Sequence, residues 1–136
     1  MDPNLVVDEE MEPDPELNRI TNRIIGAAIE VHKELGPGHS EATYENALAI
    51  EFNRQCIHFE RQVRYAVFYK GEQVGEGRMD FLVEGRVLLE LKAVETMTSL
   101  FTSQVISYLK ATKHRLGLLI NFNVRRLADG IKRIAY

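Results

Sequence analysis

Two acidic residues and a lysine stand in apolar segments of the chain, where charged side chains are costly to bury. Glu90 and Lys92 end a segment whose residues 87–89 are all apolar, and Asp80 lies between two apolar neighbours. Side chains alternate across a strand, so Glu90 and Lys92 are predicted to share one face. Because a short hairpin connects the two segments, we expect Asp80 and Glu90 to lie side by side.

This set of groups is suited to a divalent cation. Buried charges must pair with one another or bind a metal. Mg²⁺ prefers carboxylate oxygens, and an ammonium group can orient or help to deprotonate the water that a metal activates. The alternative is a Glu90–Lys92 pair with Asp80 at a turn, because an acid-x-Lys triplet is common by chance. The residues alone leave both interpretations open.

The helices that must position these groups follow from the hydrophobic periodicity. Apolar residues at three- and four-residue steps predict a helix from Leu17, which Gly36-Pro37-Gly38 ends. Ser40 is expected to cap a second helix, with Cys56 as its last inward residue. Cys56 has no basic or histidine partner arranged for nucleophilic chemistry, so we predict a buried thiol.

After the second helix the apolar period changes from about three and a half residues to two. Strands are predicted over 63–69, 74–83 and 86–92, with turns at 70–73 and 84–85, then a helix over 98–112, a strand over 116–122 and a short helix over 129–136. This order predicts an α/β or α+β domain in which helices pack on a mixed sheet.

Length and composition indicate one globular domain. The chain has 136 residues, of which 45% are hydrophobic and 27% are charged. We predict a flexible acidic tail over 1–16 and a single folded domain over 17–136. The single cysteine excludes an intrachain disulfide and a cysteine zinc cage, and the four histidines lack ligand spacing. No segment resembles a membrane span or a secretory signal, so we expect a cytoplasmic protein without membrane contact.

The charge is distributed unevenly along the sequence. The first 18 residues contain seven acidic residues and no basic ones, whereas basic residues exceed acidic ones by four in the rest. The basic residues after position 100 are Lys110, Lys113, Arg115, Arg125, Arg126, Lys132 and Arg133, opposed only by Asp129. Such a segment is suited to bind DNA or RNA. A solvated basic surface is the alternative, and charge alone does not choose between them.

Several motifs resemble one family in the same order along the chain. Residues 38–44, Gly-His-Ser-Glu-Ala-Thr-Tyr, match the signature of the GxxExxY family. Asp80, the segments 90–92 and 117–122, Gln104 and Tyr108 resemble its later blocks. The chain is therefore similar to a compact branch of the PD-(D/E)XK nuclease superfamily, with Met79 in place of the proline. This resemblance implies a restriction-endonuclease-like α/β core of αβββαβ order.

The resemblance also implies a metal site for Mg²⁺, with Mn²⁺ as a substitute. Asp80, Glu90 and the backbone carbonyl of Leu91 would bind the cation. Lys92 would position the attacking water and stabilise charge on the phosphate.

Further roles are implied on the helices. Glu41 would reach the metal directly or through water. Gln104 and Tyr108, which share a helix face, resemble the Gln-x-x-x-Tyr element of exonuclease-like members and would position the water and phosphate. His39 could approach the metal from the loop. Tyr44 could touch phosphate, but its spacing favours a core position.

The predicted function is a metal-dependent nuclease that cleaves phosphodiester bonds in DNA or RNA. The alternative is a catalytically silent nucleic-acid-binding or scaffold protein on the same fold. A small-molecule hydrolase ranks third, because no nucleotide-binding loop is present. Sequence specificity would need a protein partner or an oligomer, and we favour a homodimer.

Overall fold

The first helix begins earlier than the sequence pattern predicted. The structure, a computed structural model, describes residues 14–136, and most of the predicted acidic tail lies outside the described residues. Helix α1 spans Pro15–Leu35. The Asp14 carboxylate accepts hydrogen bonds from the backbone N–H groups of Glu16 and Leu17 at 2.9 and 3.4 Å. An aspartate cap followed by proline at the first helical position is a strong start signal.

Helix α2 spans Glu41–Arg54 and is joined to α1 by a tight loop. Gly36 ends α1 with a φ of 67°, a conformation that favours glycine. Ser40 caps α2 as predicted, because its hydroxyl accepts from the Thr43 N–H at 3.2 Å. The fully buried Tyr44 donates its hydroxyl proton to the Gly36 carbonyl at 2.5 Å and thereby fixes the loop.

Five strands form one mixed sheet in the order β1-β2-β3-β4-β5. They span Phe59–Tyr69, Glu72–Val83, Val87–Lys92, Leu116–Asn121 and Ile131–Ala135. Strands β3 and β4 are parallel and the other neighbours are antiparallel. Helix α3, Ser99–Thr112, makes the crossover that a parallel pair requires. The predicted mixed α/β architecture is confirmed.

Helices cover both faces of the sheet and create two apolar clusters. Helices α1 and α2 pack on one face, where Phe81, Leu89 and Ile120 are fully buried. Helix α3 packs on the other face, against Met79 and Leu88. The central strands β3 and β4 are buried on both faces, which explains why their sequences are almost continuously apolar. No helix within residues 14–136 combines the length and apolar content needed to cross a bilayer.

Two predictions about local structure are wrong. The segment 129–136 forms the end of a short 3-10 turn, Leu127–Gly130, and then strand β5 instead of a helix. Ile131 and Ile134 pack on opposite faces of the sheet, a spacing of three that also fits a helix face. Cys56 is exposed, because α2 ends at Arg54 and the cysteine lies in the following turn with a φ of 57°.

Candidate active site

The side chains of strands β1 and β2 change faces at the pair Gln62 and Asp80. Residues two apart in a strand normally share a face, yet Phe81 packs under α1 and α2 while Met79 packs under α3. Gln62 has a φ of 51°, which lies in the left-handed region, and the ladder skips the Gln62–Asp80 pair. The left-handed residue therefore inverts the alternation of side chains at this point.

Strand β2 also separates from β3 here, and side chains replace the missing backbone pairing. The last paired residues are Phe81 and Leu89, so Asp80 and Glu90 follow where the strands diverge. The Asp80 N–H donates to the Glu90 carboxylate at 3.1 Å. The Leu91 N–H donates to the Asp80 carboxylate at 2.8 Å. The two acids are thus side by side, as the sequence predicted, and their carboxylates satisfy backbone donors that have no strand partner.

Burial makes both carboxyl groups weak acids. The Glu90 side chain is only 7% exposed, and burial together with the charge of Asp80 raises its pKa to about 8. Burial raises the pKa of Asp80 as well. The positive charge of Lys92 lowers both values without outweighing burial, and no ion pair joins Lys92 to either carboxylate within residues 14–136. The pair therefore has a deficit of positive charge.

One face of α3 covers this pair. The Lys92 ammonium lies 4.5 Å from the centre of the Phe101 ring, one turn into the helix. Burial and the charge of Glu90 raise the pKa of Tyr108. Gln104 is half-buried between these two positions, and within the described residues its side chain makes no hydrogen bond. The predicted residues Lys92, Gln104 and Tyr108 are thus brought to one side of the acid pair.

The sequence analysis missed Glu45, Gln62 and Tyr65. The Gln62 amide donates to Glu45 at 2.7 Å and lies 3.5 Å from the Asp80 carboxylate. The charge of Glu45 contributes to the raised pKa of Asp80. The Tyr65 ring is 5.1 Å from the Tyr108 ring, and burial followed by the charge of Glu90 raises its pKa. If the side chains alternated without interruption along β1, Gln62 and Tyr65 would not lie at this site.

The loop before α2 contains His39 and leads into Glu41 at the start of the helix. Glu41 is exposed in the first turn of α2, one turn before Glu45, and has no hydrogen bond to Asp80 or Glu90 in the part of the chain that is described. The His39 ring lies 3.1 Å from the Leu35 carbonyl. Tyr44 stacks on Phe122 with ring centres 4.5 Å apart, so it occupies the predicted core position.

The predicted basic residues differ in exposure and in their hydrogen bonds within the fold. The exposed ones are Lys110, Lys113, Arg115, Arg125 and Arg126, whereas Lys132 is half-buried and lies 3.4 Å from the Thr102 hydroxyl. Arg133 is committed to the fold, because its guanidinium donates to Thr21 at 3.0 Å and to Asn18. Because of these internal hydrogen bonds, the Arg133 guanidinium is less available to a ligand than those of the exposed arginines.

Comparison with known proteins gives the family. A family model of the PD-(D/E)XK nuclease superfamily matches residues 18–134. The chain belongs to this superfamily. The sequence matches no curated protein. A solved structure described as "Crystal structure of SSO0001" is similar, with a TM-score of 0.45 and 16% sequence identity over 85% of this chain and 77% of that chain.

The acid pair lies within the matched residues. The segments that were expected to resemble the PD and (D/E)XK parts of the signature, residues 79–80 and 90–92, both fall inside the match. Superfamily members usually use divalent metals. No group of three or more His, Cys, Asp or Glu side chains arranged for a metal is present within residues 14–136. The half-buried Asp80 carboxylate and the buried Glu90 carboxylate, which have no ion-pair partner among these residues, nevertheless fit a hard cation, with backbone oxygen and water completing its ligands.

Proposed function

We propose that this protein is a metal-dependent nuclease that hydrolyses phosphodiester bonds of DNA or RNA. The observation that carries the proposal is the hydrogen-bonded pair of the half-buried Asp80 and the buried Glu90, which has no cationic side chain in salt-bridge contact within residues 14–136. Burying two carboxyl groups without such a partner is costly unless another cation completes the site. Membership of the PD-(D/E)XK nuclease superfamily gives the same class of chemistry.

The chain supplies a role for each group around the pair. Asp80, Glu90 and the Leu91 carbonyl would hold Mg²⁺ or Mn²⁺, which would supply an activated water at neutral pH and neutralise phosphate charge. Lys92 would stabilise the negative charge that develops on the phosphate. Gln104 and Tyr108 would orient the water and the phosphate from α3.

We also propose that the chain is a GxxExxY member, which is supported by the motif at residues 38–44. The tyrosine of this motif supports the loop, because the Tyr44 hydroxyl donates to the Gly36 carbonyl and accepts from the His39 N–H at 3.2 Å. Glu41 would act on the metal through water, given its exposed position. A homodimer and an additional protein partner belong to the same proposal, and sedimentation analysis tests the first.

A cleavage assay tests the nuclease. Single-stranded DNA, duplex DNA and RNA are incubated with the protein in Mg²⁺ or Mn²⁺, with EDTA as the metal-free control. We expect Asp80→Asn to reduce cleavage at least about 100-fold, because it removes a charged ligand. The matched control is Asp129→Asn, the same chemical change at an exposed residue of the 3-10 turn.

The outcomes separate the two functional classes. Cleavage that is lost in EDTA and in Asp80→Asn, but kept in Asp129→Asn, supports the nuclease. Binding of the same nucleic acids without cleavage supports the catalytically silent alternative. Equal cleavage by Asp80→Asn and the wild type contradicts the assignment of the site.

A further inference from the structure

Beyond the kink at Gln62, the β1–β2 hairpin lies against helix α3 and leaves an open groove between them. The groove has a volume of about 390 Å³ and is lined by residues 65–68 of β1 and by Ser107, Lys110 and Ala111 of α3. Phe68 is 63% exposed, which is unusual for a phenylalanine that has partners within its own fold. The small side chains of Ser107 and Ala111 leave room for a flat ring opposite β1.

Tyr65 joins this groove to the acid pair. It lines the groove, and its ring also packs 5.1 Å from that of Tyr108 beside Glu90. Its phenol crosses the neighbouring strand at Gly77, where a Cβ atom would clash with it. Glycine at position 77 therefore leaves room for the Tyr65 ring beside Tyr108. Tyr65 and Tyr108 thus connect the groove to the side of the proposed site of cleavage that α3 covers.

The chemistry of the groove favours a nucleobase. Among residues 14–136 its lining contains aromatic, aliphatic and small residues and no acidic side chain, and Lys110 is its single cation. Lys110 is exposed, with its ammonium 5.5 Å from the Tyr136 ring centre, so a phosphate can approach it. Exposed aromatic rings beside cations are the usual platform for unpaired bases, whereas paired bases hide their faces in the duplex.

We propose that this groove binds an unpaired base adjacent to the bond that is cleaved, with Phe68 as its stacking platform, so that the substrate is single-stranded nucleic acid. The inference rests on the proposed nuclease function and adds the substrate class to it. Base stacking on an aromatic side chain is tolerant of sequence, so little sequence preference is expected at this position.

A binding experiment without cleavage tests the inference. Fluorescence anisotropy measures the affinity for a labelled single-stranded oligonucleotide of about 12 nucleotides and for the matching duplex. Wild-type protein is measured in EDTA, and the Asp80→Asn protein in Mg²⁺. We expect Phe68→Ala to weaken binding of the single strand about tenfold, because a stacking contact is lost. The slope of log affinity against log salt should stay unchanged, because no phosphate contact is lost. Phe68→Trp should restore the affinity.

Val74→Ala is the matched control, because Val74 is equally exposed at 63% on the same hairpin but does not line the groove. Its affinity should equal that of the wild type. Equal losses in both variants, tighter binding of the duplex than of the single strand, or no binding of the single strand would each overturn the inference. A wild-type dimer that Phe68→Ala converts to a monomer at unchanged affinity would also overturn it, in favour of self-association.

These outcomes are independent of the nuclease test. If the protein never cleaves but its binding of the single strand depends on the groove, the inference about the groove is supported and the proposed nuclease function is refuted. Cleavage that is insensitive to Phe68→Ala would leave the nuclease standing and refute the groove.

Discussion

At the scale of single residues, the two acids act as structural and chemical groups at once. The Asp80 and Glu90 carboxylates bind backbone N–H groups that the divergence of β2 from β3 leaves without strand partners. This arrangement holds both side chains in fixed positions before any ligand arrives. It also places two acidic groups where little water reaches them, which favours their neutral forms. The metal-free folded protein therefore retains protons that the unfolded chain would release.

This burial predicts a pH dependence of stability in the metal-free protein. Glu90 ionises near its ordinary pKa of 4.5 when unfolded but near 8 when folded, so the folded state holds the extra proton between these values. Unfolding free energy should therefore fall as pH rises from about 5 to about 8. Glu90→Gln should remove most of this slope and stabilise the protein at pH 8 by on the order of 2–4 kcal/mol.

Urea denaturation at pH 5.5 and pH 8 in EDTA measures this effect. Glu72→Gln, the same change at an exposed position of β2, is the control and should keep the wild-type slope. Addition of Mn²⁺ at pH 8 should stabilise the wild type and not Glu90→Gln, because only the former retains both ligands. An identical pH slope in wild type and Glu90→Gln would show that Glu90 ionises normally in the folded protein.

At the scale of secondary structure, periodicity predicted the elements that obey a regular period and missed those that break it. The apolar runs of β3 and β4 were predictable, because helices cover both faces of the sheet. The kink at Gln62 was not, since glutamine carries no signal for a left-handed backbone. Asp80, Glu90 and Lys92 could therefore be proposed from the sequence, whereas the positions of Gln62 and Tyr65 required the structure.

The loop that follows Lys92 depends on one buried amide. Asn121, which is 3% exposed, accepts from the Val94 N–H at 3.1 Å and donates to the Val94 carbonyl at 2.9 Å. Asn121→Ala would leave these two groups without partners, so we expect a loss of about 2–4 kcal/mol in unfolding free energy. Thermal or urea denaturation measures the loss. Asn22→Ala, at an exposed position of α1, should change stability by less than about 0.5 kcal/mol.

At the scale of the whole molecule, the topology of the sheet separates the basic residues that lie towards the end of β3 from those that pack elsewhere. Strands β3 and β4 are parallel, and Lys92 is paired with Asn121. The exposed residues Arg125 and Arg126 follow Asn121 by four and five positions. They therefore come after the end of β4 that lies beside Lys92, the last residue of β3. Arg133 instead binds α1 from strand β5. A count of charges along the sequence could not make this distinction, because it depends on strand pairing.

Replacement of both Arg125 and Arg126 by alanine tests whether this edge binds phosphate. Each phosphate contact releases counterions, so losing two should reduce the slope of log affinity against log salt by about 1.4 for a single strand or about 1.8 for a duplex, and weaken binding at low salt by about 3- to 10-fold. Anisotropy titrations at several salt concentrations measure both quantities.

Arg54→Ala, which removes an exposed cation at the end of α2, should leave the slope unchanged. Arg133→Ala should lower stability without changing the slope, since its guanidinium already serves Thr21 and Asn18. A double variant with the wild-type slope would contradict this prediction and would mean that Arg125 and Arg126 are only solvated.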